Sequence, residues 1–500
     1  MPSRAAPRED NSSDCPTSCG SRCVFPSGEI SRLQKTDNSD VKLQFILFSI
    51  FALVTESVAQ DALPLSRTNR SILQAQDEAA VQPGGFKKTD YISGDWWGYR
   101  DRLQQSGVEV FGFYNSIFNG NAIGGTHPHH ATYVDDAWLG FKFDLEKLVH
   151  WNGGLFVVSG INRNGDDLTT RYIGSIFSTQ QSVGGQRPFL YQVYLQQKLW
   201  EGRLRVKVGR FAASDDFNAS PLYGYSVNNG IDGDIRNVLF DTRFSAYPFA
   251  VWAAALLYDP TPEFNVKFGV FQTSARMFEN DDNGLNWGIE GSDGYTSILQ
   301  VGWCSQFFKR PVYASPDNKT STARDAKSAD AFVMKGYPGH YWIGFTYSEW
   351  DLYRRFNGGF EDHSYGFYAH ADQMIYQEAP ASDQGLTAFV AAGYYPQSEI
   401  AIVPFQVNLG LNYQGFFSGR DRDHTMLHFI YGDISRDYAR SVRVPGGRLA
   451  ESEKVVELAH RFQLTPWSYF QPDLQYVIDP GGTGDIPNAL VIGAQMGFTF

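Results

Sequence analysis

The segment Leu490 to Phe500 alternates without a break. Leu490, Ile492, Ala494, Met496, Phe498 and Phe500 share one face; Val491, Gly493, Gln495, Gly497 and Thr499 share the other. A period of two is the signature of a strand. An apolar strand face running out to a final Phe is out of place in water, where termini fray and carry polar residues. A closed antiparallel sheet in a bilayer accommodates it, with apolar side chains toward lipid and small or polar ones toward a lumen.

The same alternation recurs along the chain. From 405 to 414, Phe405, Val407, Leu409, Leu411 and Tyr413 oppose Gln406, Asn408, Gly410, Asn412 and Gln414. Leu204, Val206 and Val208 oppose Arg203, Arg205 and Lys207, and Leu474, Tyr476 and Ile478 oppose Asp473 and Gln475. A soluble sheet with one wet face gives this pattern too. Here the apolar faces are unusually clean, the repeats run from about residue 108 to the end, and no helical layer intervenes to cover them. Turn-rich stretches at 119–135, 162–186, 214–241, 279–294 and 311–336 read as external loops. The expected fold is all-β, a transmembrane antiparallel β-barrel.

Composition supports this. Aromatic residues make up 15% of the chain, with 49 Gly, and outside the N-terminal region no apolar run reaches the roughly 18 residues of a spanning helix. Aromatic girdles and Gly-rich turns are barrel features.

Residues 41–59 carry Lys42, an apolar core from Phe45 to Val54, and Ser57-Val58-Ala59, the pattern of an export signal cleaved before Gln60. The 40 residues before it are polar and hold Cys15, Cys19 and Cys23, three of the four cysteines. Translation from Val41 would make them a non-coding leader rather than a metal site. The domain organisation is then extension plus signal over 1–59, a polar arm over 60–92, a short helix over 93–107 capped by Asp95 and stopped by Gly107, and a barrel over 108–500. Without 1–59 the net charge is near −11 and Cys304 is the lone cysteine. That balance argues against nucleic acid as a partner, and one cysteine allows no intrachain disulfide.

Enzymatic constellations are weak. Asp135-Asp136 and Asp215-Asp216 are sequence neighbours, whereas glycosidase carboxylates flank a bond from separate elements. His127-Pro128-His129-His130 lacks a second ligand group at a telling spacing. No cofactor or metal is expected. Inward charges matter more: Arg203, Arg205, Lys207, Lys267 and Asp473, with the amides Gln406, Asn408, Asn412 and Gln475, form a mixed lining. Mixed donors and acceptors suit hydroxylated neutral solutes, while purely cationic or acidic linings favour ions.

Several blocks, in order, resemble the carbohydrate-selective porin (OprB) family: GDWWGYRDRLQQSGVEV at 94–110, LRVKVGRFAASDDFNASPLY at 204–223, GVFQTSARMFENDDNGLNW at 269–287, NLGLNYQGFFSGRDRD at 408–423 and the whole of 467–500. The resemblance spans about 93–500. It implies an outer-membrane barrel of about sixteen strands with loops folded inward, passing monosaccharides passively, with sugars and outer-membrane lipid as partners and a homotrimer as one open assembly. It carries over Arg205, Arg210, Asp215, Asp216, Asp473 and Gln475 as candidate pore-lining positions. Trp97, Tyr99 and the length of 311–336 depart from the family pattern. The alternative within the class is a general, non-selective porin.

Overall fold

The computed structural model describes residues 91–500 except 232, 279–282, 314–331 and 380–381. The expected export signal, arm and N-terminal cysteines lie outside these residues. Sixteen strands form one closed antiparallel barrel in which each pairs with its sequence neighbours, and the first pairs with the last. They are β1 Val108–Ile123, β2 His130–Asp144, β3 Gly154–Gly165, β4 Pro188–Leu199, β5 Leu204–Phe211, β6 Val251–Tyr258, β7 Phe264–Thr273 and β8 Gly294–Tyr313. The second half comprises β9 Phe332–Arg354, β10 Phe360–Gln377, β11 Gly385–Tyr394, β12 Phe405–Gln414, β13 His424–Asp433, β14 Ser452–Thr465, β15 Ser468–Ile478 and β16 Ala489–Thr499. The seam pairs Phe113 with Thr499 through Asn119 with Gly493. Closure leaves no unpaired edge, the condition for a sheet to cross hydrocarbon.

Alternation sorts the side chains as the sequence indicates. On β12 Gln406, Asn408 and Asn412 are buried inside, while Leu409 and Leu411 stand exposed outside. Leu139, Val301, Ile343, Leu427, Leu458 and Ile492 continue that outer apolar band. Trp200, Tyr258, Phe264, Trp303, Tyr376 and Tyr413 ring one rim of the wall, as an interfacial aromatic girdle does.

Strand direction assigns the connections to two ends. One end carries L1 (124–129), L2 (166–187), L3 (212–250), L4 (274–293), L5 (355–359), L6 (395–404), L7 (434–451) and L8 (479–488). Most turns at the other end are shorter, so the loop end is the external one. Two sequence expectations change here. Most of 119–135 is strand, because β1 and β2 pair to Asn121 and His130. The described flanks of 311–336 are strand: β8 and β9 remain paired as far as Tyr313 and Phe332, at the turn end and not the loop end.

The N-terminal helix is shorter than expected. A turn of 3-10 helix at Trp96–Gly98 leads into α1 (Tyr99–Gln105), capped by Gly98 at φ 86°, and the Asp95 side chain makes no cap bond. Trp97 is not packed on the barrel but 93% exposed. The helix is held by Arg100, whose Nη2 donates to the main-chain oxygens of Val110 (2.9 Å) and Phe500 (2.7 Å). Its guanidinium lies 3.4 Å from the Tyr91 ring centroid.

Candidate functional site

The lumen is not a uniformly wet bore. L3 turns inward, and Phe217, Tyr223, Ile231, Ile235, Val238 and Phe244 pack on inner-wall residues from β6 to β13, among them Val251, Ala253, Phe271, Ile298, Phe389 and Met426. That is why the inner face of β6 is apolar, against simple polar-in alternation. L2 also turns inward: Leu168, Ile173 and Phe177 cover Ile430, Val455, Val477 and Val491 of β13–β16. Phe177 sits on Gly432, where a Cβ would stand 2.5 Å from its ring. The loops meet where Asn229 N donates to Ser178 O at 2.7 Å and Gln181 donates to Ser226 O.

L2 and L3 also reach the inner surface of β1–β5: Val183 and Val227 pack on Ile117 and Val134, Asn119 donates to Thr179 O, and Tyr247 lies on Trp138 and Tyr191. The half-buried rings of this wall are therefore those toward the turn end. From the turn end it begins with the Glu109–Lys142 pair (3.2 Å) and half-buried Phe111, Phe113 and Tyr194. Next come Ser159 and Gln192, hydrogen-bonded at 3.1 Å. Above them Trp138 makes edge contacts with Tyr191 and a tilted one with Tyr247, at centroid distances of 5.5 and 5.6 Å. The buried Arg163–Asp136 pair follows, Nε to Oδ2 at 3.1 Å, with Tyr247 Oη donating to Asp136 Oδ1 at 2.8 Å. A bulge makes this possible: β3 pairs Ser159 with Gln192 and Gly160 with Leu190, leaving Tyr191 as the extra residue. Both Tyr191 and Gln192 therefore reach Asp215. Trp138 Nε1 is buried and meets no hydrogen-bond partner among the described residues.

The sequence-predicted residues fall into three groups. Arg205, Lys207 and Lys267 point inward, but the lysines grip L3 rather than stand free: Lys207 Nζ lies 2.7 Å from Asp216 Oδ2, and Lys267 Nζ donates to Asp216 O at 2.7 Å. Arg205 pairs with Asp259 at 3.1 Å near the turn end. Burial raises the Asp215 carboxyl above the usual carboxylate range, against the pull of Lys207. Gln406, Asn408, Asp473 and Gln475 are almost fully buried. Of these, Gln406 takes Asn237 N and donates to Gly230 O, and Gln475 takes Asn228 Nδ2 and donates to Thr179 O. Asn412 contacts His424 Nδ1 at 3.3 Å.

Two predicted positions need correcting. Arg203 lies exposed in the turn before β5, because a short 3-10 turn at Trp200–Gly202 ends there and the strand starts at Leu204. Arg210 shares the outward parity of Val206 and Val208, and L4 folds over it outside the barrel; its Nη atoms donate to Ala250 O and Asn286 O. Sequence reasoning missed Trp138, Arg163, Tyr191 and Tyr247. The Asp135-Asp136 pair is visible in the sequence, but only cross-strand register puts Asp136 beside Arg163.

A closed barrel with an apolar outer wall, narrowed by two infolded loops over an aromatic and ion-paired surface, is a pore of the outer-membrane porin class. The carbohydrate-selective porin, OprB family matches residues 128–500, and the chain belongs to that family. Porin B of Pseudomonas aeruginosa is 25% identical over 82% of this chain and 91% of its own length. A putative porin, QuiX, of Acinetobacter baylyi is 22% identical over 82% and 93%. The high-pH structure of Pseudomonas putida OprB superposes with a TM-score of 0.71 at 25% identity, covering 83% of this chain and 99% of that one. The protein is a carbohydrate-selective channel of the bacterial outer membrane.

Proposed function

We propose that monosaccharides and similar polyols diffuse down their gradient along the β1–β5 wall, with no reaction and no energy input. The observation that supports this is the turn-end part of that wall, where half-buried Phe111, Phe113 and Tyr194 lie beside the Lys142–Glu109 pair while L2 and L3 pack apolar contacts on β6–β16. Aromatic faces meet the C–H face of a pyranose, and the amides and ion pairs exchange hydrogen bonds with its hydroxyls in place of water. Since the charges are paired, the surface favours neutral solutes over ions of one sign.

Planar-bilayer recording with and without glucose tests the proposal. A sugar-binding channel shows ion current that glucose blocks saturably; a general porin shows only the viscosity effect of added sugar. On the same reading each barrel is its own pore, whether single or in a homotrimer, which native mass spectrometry resolves. Removal of the export signal after Ala59 is checked by N-terminal sequencing of the outer-membrane form.

A further inference from the structure

We propose that Glu453 and Glu457 are positioning residues that set the width of the sugar path, with β14 as the mount from which both infolded loops hang. The two residues are separated by four positions on one strand and share its inward face, and both are fully buried. Glu453 accepts the Ile176 N–H at 2.8 Å and the Phe177 N–H at 2.9 Å, together with the Ser175 hydroxyl, all in L2. It also accepts Gly481 N–H of L8 at 2.7 Å. Glu457 does the same for L3, accepting Val227 N–H, Asn228 N–H (3.2 Å) and the Ser226 hydroxyl. His428 Nδ1 on β13 lies 3.4 Å from Oε2, the oxygen that also takes the Ser226 hydroxyl.

Both residues use a property only a carboxylate has. Two oxygens offer about four acceptor sites and no donor, so several N–H and O–H groups converge on one side chain. Glutamine keeps the shape but replaces one acceptor with a donor that faces the same N–H groups. Where Glu453 and Glu457 hold them, L2 and L3 also meet each other, through Asn229 with Ser178 and Ser226 with Gln181. A shift at either anchor therefore moves the edge that both loops present to β1–β5, although neither glutamate lies on that surface. This inference rests on the β1–β5 route.

The test uses Glu453→Gln, Glu457→Gln and Ser226→Ala, with Lys454→Gln as a control on the outward face of the same strand. Folding is checked by heat-modifiable migration, and the readouts are open-channel conductance and the half-blocking glucose concentration. The expected result is a folded barrel whose conductance rises and whose half-blocking concentration rises about tenfold in Glu457→Gln, with a smaller change in Ser226→Ala and none in Lys454→Gln. If a glutamine variant does not fold, Ser226→Ala, which removes the hydroxyl contacts with Glu457, Asn228 O and His428 but leaves both carboxylates, carries the test. Folded variants with wild-type conductance and wild-type block overturn the positioning role. An unblocked wild-type channel sinks the sugar route instead, and the conductances still decide whether the glutamates set the width.

Discussion

Trp138 carries a buried donor that its own protein leaves unpaired among the described residues. Its ring is held by Phe111, Phe113 and Tyr191. Trp138→Phe keeps most of the ring and removes the donor. Glucose block is expected to stay unchanged, while loss of a buried unpaired donor relieves about 1–3 kcal/mol, offset in part by the smaller ring, so the barrel's melting holds or rises; bilayer titration and thermal scans check both. Asp241 in L3 gives a pH signature. Burial pushes its carboxyl up to about 8, although the Ile402 and Val403 N–H groups oppose the shift. The native state then binds a proton that the unfolded state has lost above about pH 4. Stability from this group is full below the unfolded value, falls as pH rises toward 8 and is level beyond. In detergent micelles, Asp241→Asn should flatten that decline, and an unchanged pH slope of thermal unfolding would count against it.

Among the elements, L3 bears the most. It is gripped at its start by Lys207 and Lys267, at Asn228 by Glu457, and at its far limb by Asn237, which donates to Gly393 O and Val403 O. Such a segment acts as a fixed baffle, not a swinging lid. The small helix α1 has a different task. Arg100 bridges β1 at Val110 and the end of β16 at Phe500, so it clamps the seam where the barrel closes. Arg100→Ala should cost about 1.5–3 kcal/mol for each charged hydrogen bond lost and lower the temperature of heat-modifiable migration in gels, with sugar block unaffected.

At the scale of the molecule, the outer wall presents exposed apolar side chains and the inner wall is mostly covered by the protein's own loops. The two faces therefore respond differently to the same change. Leu409→Arg, on the outer face of β12, should destabilise the barrel by about 2–4 kcal/mol if the site lies near the bilayer midplane, and less near a rim. Urea unfolding in liposomes measures this. The sequence made the barrel legible because alternation is local: Gln406, Asn408 and Asn412 were placed inside by parity alone, and the structure puts them there. Parity could not say what they meet. Gln406 and Gln475, read as candidates facing solute, are instead brackets for L3 and L2, with partners well over a hundred residues away. Arg210 kept its outward parity and was covered by L4.

A period of two, carried by side chains that must choose lipid or lumen, was enough to fix the class of fold and its home in a membrane, since every strand repeats that choice independently. The path within depends on where two long connections fold back and which walls they cover, and that is a matter of contacts such as Glu457 with Val227, 230 residues apart. No periodicity encodes such contacts, because an inward position looks the same in sequence whether it faces water, a sugar or another loop.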